Sequence, residues 1–178
     1  MAERIEVLIP EKEVEAAIDR VADQINRDFE GQDIHLVCIL KGSVMFTAAL
    51  AKRIKSNVTM DFMSCSSYGN AMVSSGIVKI VKDLDESIEG KNVIIVEDIV
   101  DTGRTLAYIL GLLQDRHPKA LKLCTLLDKP SGRVEATKDL VVDYSAMQCP
   151  NTFIAGYGLD YEQKYRNLPY IGAVKFED

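Results

Sequence analysis

Three carboxylates and two hydroxyl side chains lie close together in one short segment, at Glu97, Asp98, Asp101, Thr102 and Thr105. An apolar run at residues 93–96 precedes this segment, and an apolar stripe with helical spacing at residues 106–113 follows it. A Thr-Gly-Arg-Thr turn at the start of a helix can direct successive backbone N–H groups and both hydroxyls into one concavity, which suits a phosphate monoester. Glu97 and Asp98 at the strand end carry only oxygen ligands, which suit sugar hydroxyls or Mg²⁺. The pattern predicts a phosphate site beside carboxylates that could serve either sugar hydroxyls or Mg²⁺.

The segment also has a simpler interpretation. Asp101 or Thr102 could cap the following helix while the carboxylates are solvated. The placement of three acids between a buried strand and a capped helix favours the phosphate site over this alternative. A Walker-type loop, G-x-x-x-x-G-K-[ST], does not occur in the sequence, which disfavours P-loop nucleotide hydrolysis.

Strands and helices alternate along the predicted chain. Helical spacing predicts helices at residues 10–29, 44–54 and 106–113, and apolar or alternating runs predict strands at residues 36–40, 58–62, 77–81, 93–96, 121–127, 140–142, 153–155 and 171–174. Alternation of this kind predicts crossover connections and an α/β fold with a mostly parallel sheet. Because ligands bind at the carboxyl ends of such strands, the informative residues should lie just after strands.

Length and composition restrict the class of protein. A chain of 178 residues predicts one domain over residues 1–178, and its net charge of −6 argues against bulk electrostatic binding to nucleic acid or to an anionic membrane. The longest apolar stretch, residues 106–113, is far shorter than the roughly 20 residues of a membrane span, and the first residues lack the apolar core of a signal peptide. Four cysteines without a C-x-x-C pair are typical of free thiols. These features predict a cytoplasmic protein.

Residues 96–106 resemble the signature of type I phosphoribosyltransferases, which bind 5-phosphoribosyl-1-pyrophosphate (PRPP). Further segments are similar to those of the hypoxanthine and hypoxanthine-guanine phosphoribosyltransferases: LKGS at 40–43, SSYG at 66–69, LLDKP at 126–130, and FIAGYGLDY at 153–161 with Tyr165-Arg166 beyond it. The resemblance covers nearly the whole chain in the expected order.

This resemblance implies a fold and a reaction. The fold is a mostly parallel central sheet flanked by helices, with a small hood formed by terminal segments. The reaction moves the 5-phosphoribosyl group from PRPP to N9 of hypoxanthine or guanine, gives IMP or GMP and releases pyrophosphate, with Mg²⁺ as the cofactor. Family members are homodimers or homotetramers, and the sequence does not choose between these.

The resemblance also implies roles for individual residues. The residues implied to bind the 5′-phosphate and ribose of PRPP are Glu97, Asp98, Asp101, Thr102, Gly103, Arg104 and Thr105, and those implied to bind pyrophosphate are Lys41, Gly42 and Arg166. The residues implied to bind the purine are Lys129, Phe153, Ile154 and Asp160. Those implied to bind Mg²⁺ are Glu97, Asp98 and Asp160. Ser67 and Tyr68 belong to a polar loop that the family folds over its substrates.

Asp101 is the expected catalytic residue, facing N7 of the purine. Two roles stay open for it: accepting a proton from the base, or offsetting positive charge as the base becomes a cationic nucleotide. The Lys129 ammonium is expected to donate to O6, and it favours 6-oxopurines because the amino group of adenine would present hydrogens to it.

Two other functions compete with this interpretation. A regulator built on the same fold would sense PRPP and bind RNA or DNA, and it predicts a basic face that the acidic composition does not support. A transferase of the same fold could instead act on xanthine or orotate. The segments around Lys129 and residues 153–160 favour a 6-oxopurine, while the choice among hypoxanthine, guanine and xanthine stays open.

Overall fold

A computed structural model describes residues 3–67 and 78–176 of the protein. The strands in this part of the chain are β1 Glu3–Ile9, β2 Ile34–Ile39, β3 Val58–Ser67, β4 Val78–Lys82, β5 Asn92–Val100, β6 Ala120–Asp128, β7 Tyr144–Gln148, β8 Ile154–Ala155 and β9 Ile171–Phe176. The α-helices in the same residues are α1 Glu11–Asp28, α2 Val44–Ala51 and α3 Arg104–Gln114. None of the helices in these residues has the length and apolar character of a membrane span.

The larger sheet has six strands in the order β4-β3-β2-β5-β6-β7. Strands β3, β2, β5, β6 and β7 are parallel to their neighbours, and β4 runs antiparallel to β3 at one edge. Strands β2 and β5 lie at the centre, and the first five residues of β5 are fully buried or nearly so, as expected for a parallel strand covered on both faces. The predicted α/β fold with a mostly parallel sheet is confirmed.

Helices cover both faces of this sheet. α1 buries Val14, Ala17, Ile18, Val21, Ala22 and Ile25, and all of these except Ala17 form one core with α2 and with Leu36, Ile94 and Leu126 of the strands. α3 buries Leu106, Ile109 and Leu113 in a second core with residues on the other face of β2, β5 and β6. Each stripe follows the spacing of about 3.6 residues that predicted the helix.

The terminal segments form the predicted hood. β1, from the beginning of the chain, pairs antiparallel with β9 from its end, and β9 also pairs with β8. β1 was not predicted from the sequence. Its charged residues Glu3, Arg4 and Glu6 interrupt the apolar pattern, and only the long-range pairing with β9 completes its ladder.

One predicted strand is wrong. Residues 140–142 are not extended in a sheet, and the edge strand β7 lies farther along the chain, at Tyr144–Gln148. Leu140 packs instead against Gly103, and Val141 is 67% exposed. Apolar content alone indicated a strand here, whereas pairing with β6 selects the more polar segment that follows.

Candidate functional site

The chemistry-bearing segment begins within β5, because this strand continues to Val100, four residues beyond the end predicted for it. Glu97 and Asp98 lie half-buried near the end of that strand, and Gly103, with φ of 75°, turns the chain into α3. A concavity of about 170 Å³ opens at this turn, and it is lined by Glu97, Ile99, Asp101, Thr102, Gly103, Arg104, Thr105 and Leu106. All of the residues predicted to hold the 5′-phosphate and ribose except Asp98 thus line one concavity at the N-terminus of a helix.

The adjacent carboxylates of Glu97 and Asp98 interact near the end of β5. The Asp98 N–H donates to Glu97 Oε1 at 3.1 Å, and the Ile99 N–H donates to Asp98 Oδ1 at 2.6 Å. Burial and the neighbouring Asp98 carboxylate raise the pKa of Glu97 well above its usual range. A bound cation would relieve the repulsion between these two groups.

A second loop approaches the carboxylates through a glycine. Gly42 follows β2 and the cis peptide between Leu40 and Lys41, and a Cβ at Gly42 would lie 1.7 Å from Asp98 Oδ2. The carbonyl oxygen of Gly42 in turn would lie 2.1 Å from a Cβ at Gly158, whose φ is +97°. Three segments, after β2, in β5 and after β8, therefore meet with no room for a side chain at either glycine.

Polar side chains around Gln163 link the predicted pyrophosphate residues. Gln163 Oε1 accepts from Arg166 Nη2 at 3.1 Å and from Lys41 Nζ at 3.4 Å. The Gln163 backbone N–H donates to Asp160 Oδ2 at 2.8 Å, and Arg166 Nη2 pairs with Asp160 Oδ1 at 2.8 Å. Arg166 Nη1 also donates to the Gly158 carbonyl at 2.8 Å. Lys41 precedes Asp160 by 119 residues and Arg166 by 125 residues in the sequence. The fold nevertheless brings these three side chains together here.

Asp101 and Lys129 follow the neighbouring strands β5 and β6. A Cβ at Gly132 would lie 1.7 Å from Asp101 Oδ1, so the Asp101 carboxylate packs over the turn that follows Lys129. The Lys129 N–H donates to the Val100 carbonyl at 2.9 Å. Both charges act on the Cys149 thiol, whose pKa burial raises, Lys129 lowers and Asp101 raises. The two predicted purine-side groups therefore share one end of the sheet.

Arg133 joins the loops that carry these two residues by hydrogen bonds. Its role was not predicted from the sequence. Its Nη1 donates to the carbonyls of Asp101 at 2.8 Å, Val100 at 2.9 Å and Lys129 at 3.3 Å, and its Nη2 donates to Asp128 Oδ1 at 2.6 Å. The side chain is only 10% exposed. Gln163 was missed as well. The only signal for either residue was its place near a motif. Arg133 lies three residues after Pro130, and Gln163 lies between Asp160 and Arg166.

Phe153 and Ile154 belong to the hood. Ile154 begins the short strand β8, and the Phe153 carbonyl accepts the N–H of Val174 at 2.9 Å. Phe153 is 56% exposed, and its ring packs against Tyr161, the residue next to Asp160. The purine residues of the prediction are thus divided between the sheet edge and the hood.

The predicted loop is only partly within the described residues. Ser67 is the last residue of β3, and Tyr68 lies outside the part of the chain that the structure describes.

Comparisons with known proteins give the family. Residues 8–162 match the phosphoribosyl transferase domain. A hypoxanthine-guanine phosphoribosyltransferase of Streptococcus thermophilus is 47% identical over 96% of this chain and 93% of its own length. A hypoxanthine phosphoribosyltransferase of Escherichia coli is 47% identical over 98% of this chain and 97% of its own.

A solved structure agrees with these relatives. The crystal structure of a hypoxanthine-guanine phosphoribosyltransferase from Bacillus anthracis superposes with a TM-score of 0.90 at 46% identity, and the match covers 98% of this chain and 100% of that one. The chain therefore belongs to the phosphoribosyltransferase family, among its hypoxanthine and hypoxanthine-guanine phosphoribosyltransferases.

Proposed function

We propose that the protein transfers the 5-phosphoribosyl group of PRPP to N9 of hypoxanthine, and of guanine, giving IMP or GMP and pyrophosphate. The observation that carries the proposal is the pair Asp101 and Lys129, which follow adjacent strands and whose backbone carbonyls both accept from one nearly buried arginine, Arg133. A carboxylate and an ammonium held at one end of a sheet can face N7 and O6 of the same 6-oxopurine. Family membership and the concavity at the N-terminus of α3, which Asp101 helps to line, support it.

The sugar end of PRPP is assigned to the concavity. Residues 102–105 would present backbone N–H groups and two hydroxyls to the 5′-phosphate at the N-terminus of α3, where the helix dipole favours an anion. Glu97 and Asp98 would accept hydrogen bonds from the ribose hydroxyls. Arg104 adds a cation at the same turn.

The leaving group is assigned to the cations around Gln163. Negative charge grows on the pyrophosphate as the bond to the sugar breaks, and Lys41 and Arg166 already lie around one acceptor oxygen. Arg166 offers the planar, two-pronged geometry that matches phosphate oxygens. Gly42 would allow the pyrophosphate to approach the backbone, since no Cβ stands in the way.

The purine is assigned to four further residues. Lys129 would donate to O6, and this donation discriminates against adenine. Phe153 would stack on the ring, while the main chain at Ile154 and the carboxylate of Asp160 would hold its edge. Asp101 would face N7, either as a proton acceptor or as a stabilising charge.

The residues at the strand end fit Mg²⁺. The magnesium ions of such sites are held by one or two carboxylates together with substrate phosphates and water, so an all-protein cage is not expected. Among the described residues, no three His, Cys, Asp or Glu side chains are grouped so that they could hold a metal ion by themselves. Glu97, Asp98 and Asp160 would hold the ions, since all three offer the carboxylate oxygens that Mg²⁺ prefers. When bound, Mg²⁺ supplies neutralising charge to the pyrophosphate.

We also propose the remaining features from the family and the chain. The chain would act as one domain over residues 1–178, in a homodimer or homotetramer. A reducing, cytoplasmic compartment would suit its four free cysteines. Neither nucleic acid nor a membrane is needed for the proposed reaction.

Substitution of the two purine-side residues tests the proposal. Asp101→Ala and Lys129→Ala should each lower kcat/KM for IMP formation by at least about a hundredfold, because each removes a charge aimed at the reacting base. Matched controls are Asp23→Ala and Lys12→Ala on the exposed side of α1, and these should retain the rate. Circular dichroism checks that all four variants are folded.

Two results would reject parts of this assignment. IMP formation that is absent in the wild-type protein would reject the proposed reaction. A normal rate in either site variant would reject the role given to that residue.

A further inference from the structure

Three aromatic side chains form a row on the surface of the hood: Phe153, Tyr161 and Phe176. The two phenylalanines are 56% and 51% exposed, which is unusual for side chains that could be buried in a core. Tyr161 lies between them. Its ring centroid is 5.6 Å from that of Phe153, with the planes at 88°, and 5.7 Å from that of Phe176, with the planes at 67°.

The middle ring of this aromatic row is attached to a fixed backbone. The Tyr161 N–H donates to the Lys164 carbonyl at 3.2 Å, and the Lys164 N–H donates to the Tyr161 carbonyl at 2.9 Å. The preceding residue, Asp160, is bonded to Gln163 and Arg166. Tyr161 is therefore held at its backbone by a tight turn, and on its ring by Phe176 at the end of β9.

Phe153 has no comparable enclosure. It precedes the two-residue strand β8, and the residue is more than half exposed to solvent. An exposed phenylalanine samples several rotamers, and a ligand that stacks on it must restrict that freedom. Edge-to-face contact with the Tyr161 ring limits the rotamers of Phe153 before a ligand binds, because the aromatic quadrupoles favour the near-perpendicular arrangement seen here.

We propose that Tyr161 is a positioning residue for the purine: its ring, with Phe176 behind it, holds the Phe153 ring in the orientation on which the base stacks. The inference rests on the proposed function, since it takes Phe153 as the stacking surface. It adds the end of the terminal strand to the purine site. It also assigns the effect to the ring of Tyr161 and none to its hydroxyl.

The proposal separates the two substrates. Loss of the Tyr161 ring should weaken the stacking surface for the base. The cations assigned to the pyrophosphate of PRPP are joined through Gln163 and Asp160 rather than through this ring, so PRPP binding should be unaffected. Tyr161→Leu should therefore raise KM for hypoxanthine by about 3- to 10-fold and leave KM for PRPP within about twofold. Tyr161→Phe keeps the ring and should restore the wild-type value. Phe176→Leu should give a smaller rise of the same kind.

The measurement is initial-rate kinetics with each substrate varied, together with calorimetric titration of IMP into each variant. Tyr108→Leu is the matched control, because Tyr108 is 44% exposed on α3 and lies outside the aromatic row. Melting temperatures check that the variants are folded at the assay temperature.

Three results would overturn the proposal: an unchanged hypoxanthine KM in Tyr161→Leu, equal rises in both KM values, or a Tyr161→Phe variant as impaired as Tyr161→Leu. If the proposed function itself is wrong, the wild-type protein neither forms IMP nor binds it in the calorimeter. The inference about Tyr161 then fails together with the proposed function.

Discussion

Gly42 illustrates how the site depends on the absence of one side chain. Its Cα approaches the Asp98 carboxylate so closely that a Cβ would lie 1.7 Å from Oδ2. The carboxylate cannot retreat freely, because its Oδ1 accepts the N–H of Ile99 at 2.6 Å. Alanine at this position must therefore displace either the loop assigned to pyrophosphate or the carboxylate assigned to ribose and Mg²⁺.

We expect Gly42→Ala to lower kcat/KM for PRPP by at least about tenfold, because a misplaced binding loop loses its orientation toward the leaving group. Steady-state kinetics with PRPP varied at saturating hypoxanthine measures the effect. The control is Gly111→Ala on α3, where an added Cβ meets no atom within 4 Å. That variant should keep the activity and gain about 0.5–1 kcal/mol in the free energy of unfolding. A normal PRPP dependence in Gly42→Ala would contradict the assignment of this loop.

The single residues of the site were predictable to different degrees. Glu97, Asp98 and Asp101 stood out because charged groups directly after a buried strand have few structural reasons to be there. Gln163 and Arg133 gave no such signal. Each is one polar residue in a polar turn, and its importance arises from partners far away in sequence, such as Lys41 for Gln163 and Val100 for Arg133.

At the scale of secondary-structure elements, one arginine joins the loops that follow β5 and β6. Arg133 joins the two loops through three carbonyls and Asp128, and it is nearly buried. A planar guanidinium can satisfy these acceptors at once, whereas an ammonium cannot. The relative position of Asp101 and Lys129 therefore follows from this side chain as well as from the register of the strands.

We expect Arg133→Met to cost about 2–4 kcal/mol in the free energy of unfolding, since Asp128 and the carbonyls lose their donor. We also expect kcat to fall by at least about tenfold because the two groups that face the base lose their alignment. Urea titration and single-turnover kinetics measure the two effects. Arg133→Lys should recover little of the rate. Arg20→Met, on the exposed side of α1, is the control. A stable Arg133→Met enzyme with normal kcat would show that strand register alone positions the pair.

Elements with strong local patterns were predicted well, and those formed by distant pairing were not. α1 and β5 carry their pattern within their own residues, so spacing and apolar runs were sufficient. β1 and β7 lie at the edges of sheets, where one face is wet and the sequence is mixed. Their existence depends on β9 and β6, which supply the hydrogen bonds, and no local pattern contains that information.

In the whole molecule, the end of the sheet opposite the site contains a buried histidine. His35 is 3% exposed in β2, its Nδ1 shares a hydrogen bond of 2.7 Å with Thr59 Oγ1, and its Nε2 lacks a partner among the described residues. Burial and the Lys91 ammonium lower the pKa of His35, and the more weakly acting carboxylates of Asp61 and Glu86 oppose this shift. The folded protein therefore favours the neutral imidazole.

This shift predicts how stability depends on pH. Below the unfolded pKa of about 6.5 the unfolded chain binds a proton that the folded protein resists, so stability falls as pH drops through the window between that value and the lower folded pKa. We expect His35→Gln to lose part of the difference in unfolding free energy between about pH 7.5 and about pH 5.5. His117→Gln, exposed before β6, should retain the full difference. An unchanged difference in His35→Gln would mean that other groups set the acid sensitivity.

The central claim is that this molecule joins PRPP to a 6-oxopurine. The most direct measurement mixes the purified protein with PRPP and Mg²⁺ and offers hypoxanthine, guanine, xanthine and adenine separately, with nucleotide products followed spectrophotometrically. The account predicts fast formation of IMP, formation of GMP at an equal or lower rate, and no reaction of adenine. No nucleotide from any base, despite measurable binding of PRPP, would contradict it and would mean that the fold serves to sense PRPP.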